Sequence, residues 1–379
     1  MSAEESFTYR RDQPKNGETR LVWIDVATGE SSNITAGPGI KVSPAVLPSG
    51  RIAYVRKDAG NEGIFYGEKM RGPTGLVRNP SWSPDGMQVV YHKILSYQTP
   101  DSEEIGQQTH DWQKVYSMNP QYELINTRTF PAFAPDGTRF VSTPPENNTR
   151  LVLADSGKDT SQQIFHQEGR VALAPNWSPQ GDAIIFGLGS FFRERARGAQ
   201  ISIIKPDGSG FREVTTGANN NGFPSFAPDG KRFVYRTFGP EGQGLRIMNL
   251  EDNSITTLTT EYDNFAQWSP RSDFIVFVRK HQGTFSIFTI RPDKMDLRQL
   301  TDSPADDSHP GWSPDGKSIV FTSGRMGFKD EGLYSDTPQP YGELFVMRYD
   351  GTQVQQLTDN QWEDGGSAWQ PSPQLRSKH

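Results

Sequence analysis

Arginines at alternate positions of one short stretch have the plainest chemical potential in this 379-residue chain. Residues 191–197 read Phe-Phe-Arg-Glu-Arg-Ala-Arg. A guanidinium group holds a carboxylate through two parallel hydrogen bonds, and neighbouring amides would orient the same ligand. The pattern predicts recognition of an acidic or polar ligand, although a solvated loop whose arginines pair with their own glutamate is an equally simple interpretation. The ligand-binding candidates are Arg193, Arg195, Arg197, Asp307, Asn79 and Asn264.

Histidines and tyrosines in similar stretches could transfer protons. Imidazole exchanges protons near pH 7 and, when neutral, also binds divalent metal ions. Five histidines precede the C-terminal one and are spread widely, so no more than two or three could converge; polar residues also collect in long loops without any function. The metal ligands therefore stay undefined, and Mn²⁺ or Ca²⁺ is the only cofactor suggested. The catalytic candidates are His309, His92, His110, Tyr97, Tyr334 and Tyr341.

Composition argues against several classes of function. A net charge of −6 is unfavourable for nucleic-acid binding, which needs a basic surface. The longest apolar runs, such as residues 274–278, have the length of a strand, far below the roughly 18 residues that cross a bilayer. The absence of cysteine removes disulfides, zinc–thiolate sites and thiol catalysis. The N-terminus lacks a signal-peptide pattern, so the compartment stays open between an intracellular protein and a mature secreted or periplasmic form, and we favour the second.

An aromatic residue followed by Ser-Pro-Asp-Gly, or by a close variant, recurs along the chain. We call the first residue of each copy its lead residue. The lead residues lie about 46 residues apart on average, which is the size of one β-propeller blade. Six copies begin at Trp82, Phe133, Trp177, Phe226, Trp268 and Trp312, and two decayed copies begin at Val46 and Trp369.

Each copy predicts the turn of a β-hairpin. Proline presets φ at the second turn position and glycine accepts a left-handed conformation, so Ser-Pro-Asp-Gly forms a type I turn. The lead residue ends a first strand, and an alternating β-branched and aromatic run such as 274–277 forms the second. A third strand, such as 285–289, and a fourth, such as 354–358, complete a four-stranded antiparallel blade. The sequence therefore predicts an all-β protein.

The number of lead residues predicts an eight-bladed β-propeller, with seven blades as the fallback if the Val46 copy is incomplete. Residues 7–10, 20–25 and 32–35 have the pattern of strands two, three and four of a blade without its first strand. Residues 367–371 would supply that strand, so that the N- and C-terminal strands share one blade and close the ring. We predict one domain over residues 1–371, a disordered tail over 372–379, and a monomer.

Insertions are concentrated on one face of the predicted ring. Connections from strand two to three and from strand four to the next strand one open on this face, which we call the top face; the tight Pro-Asp-Gly turns lie on the other. The three longest insertions are residues 94–112, 187–198 and 324–341. Long loops on a rigid scaffold commonly carry binding residues, so we expect the ligand pocket at the top face.

The repeats resemble those of the TolB-type β-propellers. The resemblance covers residues 5–371 and implies a propeller fold. Similar repeats occur in periplasmic scaffold proteins, in gating domains of prolyl-oligopeptidase-type enzymes and in oligogalacturonate lyases, so it does not fix an activity. Besides the Trp-Ser-Pro-Asp-Gly copies, it rests on Asp350 and Gly351 followed by Leu357 and Thr358, and on Asp207 and Gly208 followed by Val214 and Thr215.

Two functions of different classes are compatible with these patterns. The first is a ligand-binding propeller whose top-face pocket takes a carbohydrate or a protein or peptide segment. The alternative, implied by the resemblance to propeller lyases, is a polysaccharide lyase that cleaves a uronic-acid polymer by β-elimination. That reaction needs a cation or arginine to neutralise the carboxylate, a base and an acid, for which the arginine, histidine and tyrosine candidates would serve. Nucleophile-elbow, zincin and phosphate-loop motifs are missing, and no hydrolase domain fits after residue 371, so we expect no peptidase activity.

Overall fold

The computed structural model describes residues 21–37, 40–47, 49–57, 63–67, 69–74, 76–86, 88–94, 113–117, 123–126, 129–143, 149–156, 160–189, 198–326, 342–359 and 369. The regular secondary structure of these described residues consists of β-strands, as the turn-rich sequence with period-two runs predicts. A search of the same residues finds no helix with the length and hydrophobicity needed to span a bilayer.

The strands form one short N-terminal sheet and a series of longer sheets, numbered here in chain order. The N-terminal sheet contains β1 (Val22–Ile24) and β2 (Ser31–Asn33). Sheet 1 contains β3 (Ile40–Val46), β4 (Ile52–Lys57), β5 (Gly63–Tyr66) and β6 (Lys69–Thr74). Sheet 2 contains β7 (Leu76–Trp82), β8 (Gln88–Ile94), β9 (Gln113–Ser117) and β10 (Glu123–Asn126). Sheet 3 contains β11 (Thr129–Phe133), β12 (Arg139–Thr143), β13 (Arg150–Asp155) and β14 (Ser161–His166).

The remaining sheets repeat the same order. Sheet 4 contains β15 (Ala172–Trp177), β16 (Ile184–Leu188), β17 (Gln200–Ile204) and β18 (Arg212–Glu213). Sheet 5 contains β19 (Asn220–Phe226), β20 (Arg232–Phe238), β21 (Gly244–Asn249) and β22 (Ile255–Thr257). Sheet 6 contains β23 (Asp263–Trp268), β24 (Ile275–His281), β25 (Thr284–Ile290) and β26 (Arg298–Gln299). Sheet 7 contains β27 (Asp307–Trp312), β28 (Ser318–Ser323), β29 (Glu343–Arg348) and β30 (Gln355–Gln356).

Each four-stranded sheet is an antiparallel meander of consecutive strands. Six of these sheets begin with a strand that ends at an aromatic lead residue, and sheet 1 begins with a strand that ends at Val46. The first strands of neighbouring sheets contact one another, for example β19 with β23 and β23 with β27, whereas a fourth strand such as β26 mainly contacts the third strand of its own sheet. The first strands therefore lie inside and the fourth strands outside, as in the blades of a propeller.

Apolar clusters join each described sheet to the next. Large side chains such as Trp177 and Phe186 pack between sheets 3 and 4, and Trp268 and Phe277 pack between sheets 5 and 6. The indole N–H of Trp177 also donates to the carbonyl oxygen of Ala132, at 2.9 Å, one residue before the lead residue of sheet 3. The tryptophan lead residues at these positions therefore pack between neighbouring sheets.

The tight turns after the lead residues form as predicted. In sheet 5 the Gly230 N–H donates to the Ala227 carbonyl oxygen at 2.9 Å, and the φ of Gly230 is +68°. Sheet 6 carries Ser272 at the equivalent position with a φ of +63°, so a residue with a Cβ adopts the left-handed conformation there.

The Leu-Thr and Val-Thr pairs have a clear structural role. In each repeat where they occur, the threonine hydroxyl accepts the backbone N–H of a residue 14 positions earlier, at the start of the third strand. Thr215 accepts from Ile201 at 2.8 Å, and Thr259 accepts from Leu245 at 2.9 Å. The same bond joins Thr35 to the N–H of Leu21, at 3.0 Å. The N-terminal sheet therefore corresponds to strands three and four of a repeat.

The prediction of eight four-stranded blades is wrong, because the described residues form seven four-stranded sheets and one sheet of two strands. The premise of the seven-blade fallback is wrong too, since Val46 ends the first strand of a complete four-stranded sheet. The count of lead residues overestimated the blades because a lead residue marks only the end of one strand and does not guarantee three partners. The predicted strand at residues 7–10 and the tail at 372–379 lie outside the described residues.

Both ends of the series lie close to the N-terminal sheet. Leu21 and Ile34 pack against Tyr54 and Phe65 of sheet 1. A Cβ placed on Gly29 would lie 3.0 Å from the Gln355 side chain of sheet 7. The N-terminal sheet therefore lies between sheets 7 and 1. Residues 367–371 were predicted to supply a strand shared between the two chain ends. Of this segment the structure describes only Trp369, which is not in a strand, so the shared strand stays a prediction.

Candidate functional site

The first strand of every four-stranded sheet is interrupted at the same place. Two residues of the first strand face one residue of the second, which is the arrangement of a β-bulge. In sheet 6, for example, Asn264 pairs with Val278 and Gln267 pairs with Val276, so that two residues lie opposite Phe277. The two-residue segments are Ser43 and Pro44, Asn79 and Pro80, Phe130 and Pro131, Ala174 and Pro175, Phe223 and Pro224, Phe265 and Ala266, and His309 and Pro310.

The first residue of each segment lies three positions before the lead residue, and we call these seven residues the bulge ring. Four of them have a left-handed backbone: the φ values of Ala174, Phe223, Phe265 and His309 are +48°, +53°, +52° and +51°. A non-glycine residue in this conformation costs of order 1 kcal/mol or more, and such residues cluster at functional sites. All four side chains are half-buried, and the first strands that carry them are the innermost strands, which in a propeller surround the central channel.

Proline follows the bulge-ring residue in six of the seven sheets. Proline has no backbone N–H, so it leaves no donor without a partner where the ladder is interrupted. A proline two positions before the lead residue is thus the sequence signal that locates the bulge ring in six of the seven sheets. The bulge is not predicted by the period-two pattern of a strand, which assigns alternate residues to opposite faces and does not include an extra residue.

An open cleft of about 510 Å³ lies against the bulge ring in sheets 5 and 6 and is also lined by residues of sheet 4 near its lead residue. Phe223 and Phe265 line it, with ring centroids 5.4 Å apart and planes inclined at 60°. The exposed amide side chains of Asn176 and Gln267 stand at its edges. The cleft therefore offers two inclined aromatic rings between two hydrogen-bonding groups. It extends to Pro179 in a tight turn, on the side of the channel opposite the predicted top face.

A buried arginine lies behind the aromatic pair. The Arg236 side chain is almost fully buried, and its guanidinium carbon lies 5.0 Å from the centroid of the Phe223 ring and 4.9 Å from that of Phe238. Its Nη2 donates to the amide oxygen of Asn220. The Arg236 guanidinium therefore packs on the Phe223 ring and fixes its orientation, so that the ring is pre-organised where it lines the cleft.

Two ion pairs hold the ends of the neighbouring first strands. Asp263 is fully buried, and its two oxygens accept from Arg279 at 2.7 and 2.8 Å. Asp307 is also fully buried, and both of its oxygens lie 3.1 Å from Nη2 of Arg325. Each aspartate lies two residues before a bulge-ring residue, so these pairs fix where the bulge begins.

Three of the predicted site residues have described side chains. His309 belongs to the bulge ring, and its Nδ1 lies 3.1 Å from the Thr322 hydroxyl oxygen. Asp307, a predicted ligand-binding residue, is held by Arg325. Asn264 is buried, and its side-chain oxygen accepts the N–H of Phe265 at 2.9 Å, so it supports the bulge from the preceding position.

The other predicted site residues are placed only in part or not at all. Asn79 occupies the bulge-ring position of sheet 2, equivalent to that of His309, and His92 lies in β8 opposite Arg78. Asn79 and His309 thus occupy equivalent positions in their first strands, a relation that their loop-based prediction did not include. Seven candidates lie outside the described residues, and their roles stay predictions: His110, Tyr97, Tyr334, Tyr341, Arg193, Arg195 and Arg197.

A metal centre is not apparent in the described part of the chain. A search of those residues finds no group of three or more histidine or acidic side chains that could hold a metal ion. The two buried aspartates that might have contributed are engaged by arginines. Mn²⁺ or Ca²⁺ therefore stays a prediction that concerns other residues.

Four-stranded antiparallel sheets, arranged in sequence with their first strands innermost, define a β-propeller. A family model described as the TolB beta propeller domain matches residues 73–282 and 223–336. These matches together span more than half of the chain, which belongs to the TolB β-propeller domain family. The predicted resemblance is thereby confirmed.

Curated relatives match the chain over limited segments. A TolB homolog of Chlorobium luteolum is 30% identical over 148 residues, which cover 39% of this chain and 34% of that protein. An uncharacterized protein of Agrobacterium fabrum is 24% identical over 213 residues, or 56% of this chain and 65% of that protein. An uncharacterized peptidase of Bacillus subtilis is 25% identical over 207 residues, or 52% of this chain and 29% of the peptidase. The match thus spans about a third of the length of two of these relatives.

Solved structures share the fold at low sequence identity. An oligogalacturonate lyase in complex with manganese has a TM-score of 0.55 and 16% identity, over 80% of this chain and 93% of the lyase. A prolyl endopeptidase has a TM-score of 0.59 and 12% identity, over 83% of this chain and 49% of the enzyme. The Dos1 propeller has a TM-score of 0.57 and 14% identity, over 86% of this chain and 85% of the propeller. At these identities the likeness concerns the fold alone.

Proposed function

We propose that this protein is a ligand-binding propeller that holds an extended peptide segment of a partner protein in its channel, at the cleft formed by Phe223 and Phe265. The observation that carries the proposal is the bulge ring, which interrupts all seven first strands at one level. Bulges of this kind re-aim side chains next to binding sites. Here two of the re-aimed side chains are the phenylalanine rings that line the cleft.

The geometry of the two rings favours a peptide over a carbohydrate. A sugar typically stacks on a flat aromatic face, whereas Phe223 and Phe265 are inclined at 60° and form a wedge. The two rings touch each other at 5.4 Å, so an apolar side chain of a ligand would pack against the ring surfaces that line the cleft and not between the rings. The amides of Asn176 and Gln267 at the edges of the cleft can bond to the backbone N–H and C=O groups of an extended chain. Carbohydrate binding at the top face remains the prediction for the three insertions.

The lyase alternative gains no support from the described side chains. Asp307, a ligand-binding candidate, is engaged by Arg325 through both oxygens, so its carboxylate is already occupied. The arginines that would neutralise a uronate carboxylate, residues 193–197, lie outside the described residues. A divalent cation would belong to this alternative, in which it would take over that neutralisation.

A phage-displayed dodecapeptide library tests the proposal. The library is selected on the wild-type protein, and an enriched peptide is synthesised with a fluorescent label for anisotropy measurements. Replacing both Phe223 and Phe265 by alanine should raise the Kd of this peptide at least tenfold, because buried aromatic anchors commonly contribute more than 1 kcal/mol each.

The matched control is Phe211→Ala, which makes the same truncation at a side chain on the outer edge of sheet 4 that is 40% exposed. Thermal melting of each variant verifies that it is folded. A peptide that binds the double variant and the wild type equally would refute the proposal. Unsaturated products absorbing in the ultraviolet, formed from polygalacturonate with Mn²⁺ present, would instead favour the lyase.

A further inference from the structure

The described residues that line the cleft carry no charge. Four of them are aromatic, two are proline and one is alanine, and the polar ones are Asn176, Ser225 and Gln267. A charged side chain of a ligand would lose water in the cleft without gaining a counter-charge from these residues, which is unfavourable. The cleft therefore favours a segment whose contacting side chains are uncharged.

Two of the three polar side chains offer hydrogen-bond donors. The side-chain oxygen of Asn176 accepts the backbone N–H of Trp177 at 2.9 Å, so its NH₂ group, which carries two donors, is the part that a ligand can meet. The hydroxyl oxygen of Ser225 accepts the backbone N–H of Trp268 at 3.2 Å, so its own hydrogen can be donated to a ligand. Gln267 can donate and accept. A ligand rich in acceptors therefore matches the cleft best.

The first strands at the cleft are poorly suited to pairing with an added β-strand. β19 and β23 are edge strands of sheets 5 and 6, and an extended peptide can in general pair with such an edge. Bulges interrupt both strands at the cleft, and in β19 the bulge includes Pro224, which has no N–H. Bulges and prolines are the devices that prevent edge pairing. Recognition through ring surfaces and side-chain donors is therefore favoured over strand addition.

A proline-rich segment in the polyproline II conformation has the complementary chemistry. Its prolines lack a backbone N–H, so it presents carbonyl acceptors and few donors. The conformation has no internal hydrogen bonds, and one turn of three residues is about 9 Å long. Grooves lined by aromatic residues bind such segments, whose preformed conformation reduces the entropy lost on binding.

We infer that the cleft selects proline-rich segments in the polyproline II conformation. Their proline rings pack on the surfaces of Phe223 and Phe265 that line the cleft, and their carbonyl oxygens accept from the Asn176 amide and the Ser225 hydroxyl. The inference rests on the proposed function, because it names the class of peptide that the same site binds. The cleft volume of about 510 Å³ is within the range of pockets that hold small ligands, which suits a short stretch of such a helix.

The test compares two fluorescently labelled dodecapeptides by anisotropy. One consists of four Pro-Pro-Leu repeats and the other of four Ser-Ala-Leu repeats, which keep the leucines and restore the backbone N–H groups. The wild type should bind the proline peptide at least tenfold more tightly, because that peptide is preformed and has fewer donors to desolvate. Asn176→Asp should raise the Kd of the proline peptide about fivefold, because the carboxylate still accepts the Trp177 N–H but has no donor for a ligand carbonyl.

Asn249→Asp is the matched control, because the Asn249 side-chain oxygen also accepts a backbone N–H, from Glu251 at 2.9 Å, and the residue ends the third strand of sheet 5, outside the cleft. Thermal melting verifies that each variant is folded. Equal affinity of the wild type for the two peptides, or an unchanged Kd in Asn176→Asp, overturns the inference. The proposed function survives that outcome when the library-selected peptide still depends on the two phenylalanines. If Phe223→Ala/Phe265→Ala weakens neither the library-selected peptide nor the proline peptide, both proposals fall.

Discussion

Two arginine–aspartate pairs of nearly equal geometry differ sharply in burial, and this difference yields a quantitative prediction. In the pair of Arg279 with Asp263, the two bonds measure 2.7 and 2.8 Å, and the side chains are 11% and 0% exposed. In the pair of Arg298 with Asp296, the bonds measure 2.6 and 2.7 Å, and the side chains are 43% and 32% exposed. Replacing each arginine by methionine, which retains the aliphatic stem, therefore isolates the effect of burial.

We expect Arg279→Met to lower the unfolding free energy by about 3–5 kcal/mol, because it leaves the carboxylate of Asp263 buried without its counter-charge. The guanidinium also loses its contact with the Phe288 ring, whose centroid lies 4.9 Å away. Arg298→Met should cost about 0–1 kcal/mol, because water solvates the remaining carboxylate. With an unfolding entropy of roughly 2 cal/mol/K per residue, the buried substitution should lower Tm by about 4–6 °C.

Differential scanning calorimetry of the two variants and of Asp263→Asn/Arg279→Met makes the measurement. The double variant should melt above Arg279→Met, since an amide is less costly to bury than an unpaired carboxylate. Equal losses for Arg279→Met and Arg298→Met would refute the reasoning, because burial would then have no effect on an ion pair of fixed geometry. A double variant no more stable than Arg279→Met would show that the loss comes from packing.

Three further predictions concern single contacts of the repeat. Thr259→Val should cost about 1–3 kcal/mol in urea unfolding, because the buried N–H of Leu245 loses its acceptor, whereas Thr259→Ser keeps the hydroxyl and should cost less. Ser272→Gly should raise the unfolding free energy by about 0.5–1 kcal/mol by the same assay, since it relieves a left-handed φ of +63°; no gain would contradict this. Burial raises the pKa of Tyr235 to about 12, against a smaller opposing effect of Arg246. The stability from Tyr235 is therefore fully present below pH 10, the ordinary tyrosine value, and is lost as the pH rises through 12, so Tyr235→Phe should flatten the decline of Tm over that interval.

Local structure was the most predictable part of this fold. The lead residues end first strands in all seven four-stranded sheets, because proline and glycine at fixed offsets define a turn without any tertiary information. The Leu-Thr pair was recognised as a signature, but its role needed the structure. Its hydroxyl bonds to an N–H 14 residues away, and no periodicity indicates such a partner. The blade count was wrong for a related reason: the number of strands that pair at the chain ends depends on contacts between distant segments.

The candidate site was less predictable, because the general association of function with long loops points to the three insertions and not to the strands. Of the predicted ligand-binding residues, Asp307 and Asn264 have structural partners beside the bulge, and the three arginines are outside the described residues. Phe223 and Phe265, in contrast, were not singled out, because aromatic residues in a predicted strand are ordinarily assigned to the core. The proline two positions before the lead residue distinguishes Phe223, whereas Phe265 is followed by Ala266 and carries no such signal.

The position of the bulge ring explains how a repeat protein can vary its channel without losing its fold. Each bulge lies opposite a buried second-strand residue, which is aromatic in six of the seven sheets, for example Tyr235 and Phe277. The repeat requires particular residue types at that position, at the lead position and in the turn. The bulge-ring residue itself is skipped by the ladder, so phenylalanine, alanine and histidine all adopt nearly the same φ there. Substitution at this position changes what the channel presents while the pairing of the sheet is preserved, which is the condition that a binding surface built from repeats has to meet.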